Sequence, residues 1–170
     1  MVENIKETYF DDEEIGTDRK TSHPNFVEAF NDNFYYDCTD EEAPFGNDNG
    51  ADTLYELEDY YRNGNYDEKI TLFPKRIVMD IWDLKYVNYD SFDRKVIQEL
   101  INKDNYSLFA TDQVTVAVAL GEIKITGKID PELKIMALNA IKRQKIVSDI
   151  LGYGVSETYD KIEKDLEKFK

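Results

Sequence analysis

Four aspartates lie close together in the chain: Asp37, Asp40, Asp48 and Asp52. Carboxylates gathered on a turn-rich loop are what a hard divalent cation takes as ligands. The loop between them carries Pro44, Gly46, Asn47, Asn49 and Gly50. Set on a calcium-loop template, Asn47, Asn49, Gly50 and Glu56 fill the third, fifth, sixth and twelfth places, but the first place holds Phe45 where an aspartate belongs. What remains of the metal reading is a looser cage made of the four aspartates. The competing reading is local, because short carboxylates beside a helix start cap its orphan N–H groups, and Asp48, Asn49 or Asp52 could each do so. No cofactor is expected, and a divalent cation is the one candidate.

Other chemistry is thinner. Cys38 and His23 are the lone residues of their kinds, fifteen apart, and nothing in the spacing brings them within the hydrogen-bond reach that nucleophilic catalysis needs. Asp37, Asp40, Glu41 and Glu42 surround Cys38 and disfavour its thiolate, so a buried or half-buried structural thiol is expected. Gly46 and Gly50 precede a helix, but the loop has acids and no lysine, which repels phosphate. Trp82 reads as a core residue on an apolar stripe.

The constellation that stands out is a surface. Glu56, Glu58 and Asp59 alternate with Tyr55, Tyr60 and Tyr61 on one short helix. Tyrosine supplies large contact area at low entropy cost, and carboxylates steer a basic partner. The helix could also turn Tyr60 and Tyr61 inward and leave the acids merely solvated.

These residues need elements to hold them. Ser22-His23-Pro24 reads as a helix start, with Pro24 at the first helical position. Asn33 to Asp37 is aromatic and β-prone, a short extended segment. The acidic helix then turns Leu54, Leu57 and Tyr61 inward with Tyr60 beside them, keeps Tyr55, Glu56, Glu58 and Asp59 outside or on the flank, and stops at Asn63-Gly64. Ile70 to Phe73 is a strand or a buried turn. Pro74 opens a helix over Lys75 to Lys85, with Ile77, Val78, Ile81, Trp82 and Leu84 near a 3.6 period. After a linker at Tyr86 to Asp90, Ser91 caps a helix that Asp104-Asn105 ends. Thr111 or Asp112 starts the next. Val114 to Leu120 alternates like a strand, but its alanines and length argue for a buried helix that Gly127 stops. Asp130-Pro131 starts another, closed by Gly152 and Gly154, and Ser156 caps the last. The sum is a mostly α, single-domain bundle of about six or seven helices with a short extended N-terminal segment. Residues 1–20 form an acidic, loosely ordered arm that Tyr9, Phe10 and Ile15 can pin, and residues 21–170 form the helical domain.

The bulk numbers set limits. A chain of 170 residues can bury a sizeable core as one domain. The net charge is −15, and all of it lies early: residues 1–60 hold 18 acids against Lys6, Arg19 and Lys20, while the rest is neutral. Twelve of the 22 aromatic residues fall between Tyr9 and Tyr66. Such a field repels nucleic acid and anionic membrane and attracts basic proteins. One cysteine allows no internal disulfide. There is no signal segment at Met1 to Phe10 and no apolar run of membrane-spanning length, so a cytoplasmic setting is expected.

The string from Tyr35 to Leu54, with Y-Y-D-C-T-D-E followed by A-P-F-G-N-D-N-G-A-D-T-L, resembles the YfeS-like bacterial proteins. More loosely, F-x-N-D-x-x-x-D at Phe45 to Asp52, with an alanine-bearing helix and D-P-E-L later, is similar to a bacterial domain of unknown function. The resemblance implies a small bacterial protein with no assigned activity. Proteins of this kind are often described with a Trp-Gly-Arg module; this chain has no such string, so no nucleic-acid binding is implied. By analogy with small acidic immunity proteins of toxin systems, the expected function is a non-enzymatic binding protein, immunity- or antitoxin-like, that docks a basic protein partner. The alternative is a metal-binding module or metal-dependent enzyme on the Asp37–Asp52 loop.

Overall fold

The computed structural model describes residues 6–64, 68–87, 91–154 and 156–170. The start of the arm, Tyr66 and the end of the 86–90 linker lie outside the described residues.

Six α-helices and no strand are found among the described residues. The first, α1 (Pro24–Ala29), has Pro24 in its first turn, and the Nδ1 of His23 accepts the Asn25 N–H at 3.0 Å. The next segment corrects an expectation, for Asn33–Tyr36 is a 3-10 turn and not extended. A strand would send successive side chains to opposite faces. Here Phe34, Tyr35 and Tyr36 all pack on the core, with Tyr35 fully buried and its hydroxyl donating to Asp165 Oδ2 at 2.8 Å.

Helix α2 (Asp48–Arg62) stops where expected, at Gly64 with φ +64°. The chain then changes pitch twice. A 3-10 turn at Ile70–Leu72 leads into α3 (Phe73–Arg76), which widens into a π turn at Ile77–Ile81, closed by the Trp82 N–H on Ile77 O at 3.0 Å. Ile77 and Val78 are buried, whereas Ile81 is exposed and Trp82 only half-buried.

Helix α4 (Arg94–Thr126) is the axis of the molecule. Asp93 caps it, accepting the N–H groups of Lys95 and Val96; Ser91, expected as the cap, instead accepts the Asp93 N–H at 3.0 Å. The helix kinks at Asp104, whose backbone is extended (φ −164°, ψ 81°). The Asp104 carboxylate accepts from Ser107 N at 3.1 Å and Ser107 Oγ at 2.7 Å, so Asp104 restarts the helix seven residues before Thr111. Residues 114–120 are helix. Val114, Ala117, Val118, Ala119, Leu120, Ile123 and Ile125 are all buried, because α4 is wrapped by α1, α2, α3 and α5 (Pro131–Ile150). The run reads as alternating because a helix buried all round keeps no polar face. Asp130 caps α5, and Ser156 caps α6 (Glu157–Lys168). A smaller cluster of Ile97, Ile101, Leu108 and Val147 closes the far end.

The described part of the arm, 6–20, lies along the end of α4. The Tyr9 N–H donates to Ile125 O at 2.9 Å, and Phe10 packs on the core. Lys124, fully buried, reaches Asp11 and the Thr21 carbonyl. Ile15 is exposed. No helix among the described residues is long and apolar enough to cross a membrane.

Candidate functional site

The loop before α2 is folded tightly onto itself. Asp37 Oδ1 accepts from Thr39 N (2.8 Å) and Thr39 Oγ1 (2.7 Å), bonds that hold its carboxyl below the usual range. Asp40 Oδ1 accepts from Glu42 N at 3.0 Å. Asn47 is the cap of α2, correcting the expectation of Asp48, Asn49 or Asp52: its Oδ1 accepts the Gly50 N–H at 2.7 Å and its Nδ2 donates to Ala43 O at 3.0 Å. Backbone passes so close here that a Cβ on Gly46 would stand 2.0 Å from Asp40 O, and one on Gly50 1.8 Å from Pro44 O. Asp48 and Asp52 lie exposed on the first turns of α2. Among the described residues no three His, Cys, Asp or Glu side chains stand together as a metal-holding group.

The tyrosine and acid residues of α2 divide into two sets. Tyr60 is 8% exposed and belongs to the core, and Tyr61 is half-buried against its ring. Glu58, expected on the outside or flank of the helix, is 5% exposed. It accepts the Asp11 N–H at 3.1 Å and pairs with Arg62, and burial, ahead of the neighbouring Asp11, pushes its carboxyl up. Facing solvent are Asp48, Asp52, Tyr55 and Asp59, in steps of four, three and four, which places them on one stripe. Glu56 flanks the stripe, partly exposed, and Tyr55 is 72% exposed. Among the described residues no lysine or arginine pairs with Asp48, Asp52, Glu56 or Asp59.

Beside the stripe the loop, the middle of α4 and the α5–α6 turn enclose a cleft of about 530 Å³. Cys38 opens onto it and is exposed, not buried as expected. The expectation failed because the turn at 33–36 directs Tyr35 inward and leaves the residues after it outside. His23 lines no part of this cleft; it sits against Tyr9 and within reach of Gly127, so the two residues do not form a catalytic pair. The cleft's wall includes Tyr159, which helical spacing places on the apolar face of the last helix, and Tyr106, Gln113, Gln144 and Tyr153, which the spacing does not single out. Hydrogen bonds set its shape. Asn49 Nδ2 donates to Gln113 Oε1 at 2.7 Å, Ser156 Oγ to Glu42 Oε2 at 2.9 Å, and Gln144 Nε2 to Asp112 Oδ2 at 2.9 Å. Asp112, fully buried, also accepts from the Arg143 guanidinium at 2.9 Å and 3.1 Å. A legible signal was an aspartate inside an apolar helical run, which must have a partner.

Compared with known proteins, the chain is 42% identical over 146 residues to a protein of Escherichia coli (strain K12) named "Uncharacterized protein YfeS". The match takes in 86% of this chain and 59% of that protein, so the chain spans about three fifths of its relative's length. No family model matches the chain, and no solved structure does.

Proposed function

The chain belongs to the YfeS-like family, and we propose that it is a non-enzymatic binding protein whose α2 face docks a basic protein partner, in the manner of an immunity or antitoxin protein. One observation carries this reading: Asp48, Asp52, Tyr55 and Asp59 form a solvent-facing stripe whose acids pair with no lysine or arginine among the described residues, in a chain whose whole net charge of −15 falls in its first 60 residues. Of the six residues expected at the interface, Tyr55, Glu56 and Asp59 are available to a partner; Glu58 and Tyr60 serve the fold and Tyr61 is half-covered. Carboxylates at solvent steer encounter, and one exposed ring supplies contact area. The reading puts the protein in the cytoplasm, where an exposed thiol such as Cys38 stays reduced.

Capture from the native lysate at low and high salt, followed by surface-binding kinetics on the captured protein, tests it. Asp52→Lys with Asp59→Lys should slow association, since steering is worth roughly 10–10³-fold at low ionic strength. Glu99→Lys with Glu167→Lys, equal in charge change but outside the stripe, should do little. Tyr55→Ala should speed dissociation. Equal effects from the two charge pairs, or no basic protein retained at low salt, overturn the docking face. Thermal melts with Ca²⁺, Mg²⁺ or chelator test the divalent-cation alternative. A chelator-sensitive melt abolished by Asp37→Asn or Asp48→Asn would put a metal module in its place.

A further inference from the structure

The cleft beside α2 has a chemistry of its own. Its volume, about 530 Å³, is that of a small-molecule pocket. Glu41, Glu42 and Asp48 line it and no lysine or arginine does. The remaining wall is largely aromatic and amide: Tyr106, Phe109, Tyr153 and Tyr159, with Gln113 and Gln144. Rings beside carboxylates favour a cation carried on an apolar stem, because the ring faces attract the charge and the stem covers the rings.

Two buried polar groups add to this. Gln144, 4% exposed, directs its amide nitrogen to Asp112, which fixes the orientation of the amide. Its oxygen accepts no hydrogen bond among the described residues, at a cleft that Gln144 lines. The half-buried Tyr159 hydroxyl likewise has no partner among the described residues. Burial, then the charges of Glu42 and Asp112, holds that phenol protonated, and the same negative field favours a cation. An acceptor-rich, aromatic-walled cleft with no positive side chain suits neither phosphate nor a carboxylate ligand.

We propose that this cleft is a binding site for an aliphatic organic cation, an alkyl chain ending in ammonium or guanidinium. Two sources carry that chemistry: a free polyamine, or an arginine or lysine side chain presented by a protein. Asp48 borders both this cleft and the α2 stripe, so the two are told apart with residues that belong to only one of them.

Cys38 at the cleft supplies the readout. The full chain is labelled with iodoacetamide alone, with spermidine, with N-acetylarginine amide, and with uncharged 1,6-hexanediol, and the same compounds are titrated by calorimetry. Spermidine or the arginine amide should slow Cys38 labelling and give saturable heat; hexanediol should do neither. Protection by spermidine assigns the free polyamine, and protection by the arginine amide alone assigns a side chain. Glu41→Gln with Tyr153→Ala, both at exposed positions, should weaken binding about tenfold or more. Asp52→Asn with Asp59→Asn should leave it unchanged, even if those positions prove essential for docking a basic protein. No protection by either cation overturns the proposal. So does an equal loss in the two double variants, which would mean diffuse attraction to an acidic surface.

Discussion

Tyr60 is held at both ends. Its ring centroid lies 5.0 Å from that of Phe73 and 5.1 Å from that of Tyr61, and its hydroxyl donates to Glu68 O at 2.8 Å. Removing the ring should therefore cost about 3–5 kcal/mol of folding stability, and Tyr60→Phe about 1 kcal/mol for the lost hydrogen bond. Tyr55→Ala, on the opposite face, should stay within about 0.5 kcal/mol of the native protein. Urea titrations of the three variants separate these outcomes, and a large loss at Tyr55 would show that its face is covered. Spacing alone assigns Tyr60 inward with Leu57. The same spacing puts Glu58 four residues after Leu54, on the inner side, but its charge argued for solvent. What makes burial tolerable is the Asp11 N–H, 47 residues away, together with Arg62. A long-range partner leaves no periodic trace. Asn47 was hidden for the opposite reason: the loop offers several capping residues side by side, and only the close passage of Pro44 over Gly50 selects among them.

Starts and stops were the readable part of the elements. Pro24, Pro131, Asp130, Ser156, Gly64 and Gly127 all act as local backbone chemistry dictates, because a cap or a left-handed glycine needs nothing from the rest of the chain. Changes of pitch were not readable. A 3.6 period places Ile81 inside with Ile77, but the π turn holds more residues per turn and rotates Ile81 out to solvent. The restart of α4 at Asp104 likewise depends on one carboxylate closing on Ser107. Between elements, the joint that matters most to the cleft is Asp112 on α4 with Arg143 and Gln144 on α5. Asp112→Ala leaves a guanidinium and an amide without their shared acceptor in a buried seam. It should cost about 3–5 kcal/mol and, by releasing Gln144, raise the rate of Cys38 labelling across the cleft. Chemical denaturation and labelling kinetics on one sample check both, and an unchanged labelling rate would mean that the cleft wall does not rely on this joint.

At the scale of the molecule, the uneven charge was fully visible in the sequence, but its consequence for stability was not, because that depends on which carboxylates are covered. Glu122 sits near the end of α4, where its Oε2 accepts the Asp130 N–H at 3.2 Å. Burial, with Asp130 close by, pushes its carboxyl up to about 7 from an ordinary 4.5. Glu58 is shifted the same way by burial. A carboxyl with a raised folded pKa keeps its proton in the folded chain after the unfolded chain has released it. Its contribution is whole below the unfolded value and is lost as pH rises through the folded one. The unfolding free energy should therefore fall between about pH 4.5 and 7, and mutual repulsion among the other acids adds to the slope. His23 works against this on the acid side. Burial, then Lys128, lowers its pKa, and its Nδ1 caps α1, so stability is lost as pH falls through that lowered value. The expected profile has its maximum on the acid side of neutrality. Glu122→Gln removes one titration: it should match the native protein near pH 4 and exceed it at pH 8 by on the order of 1–2 kcal/mol, allowing for partial solvent screening of the shift. Urea midpoints from pH 4 to 8 measure both curves, and parallel curves across that range would show that Glu122 ionises freely in the folded protein.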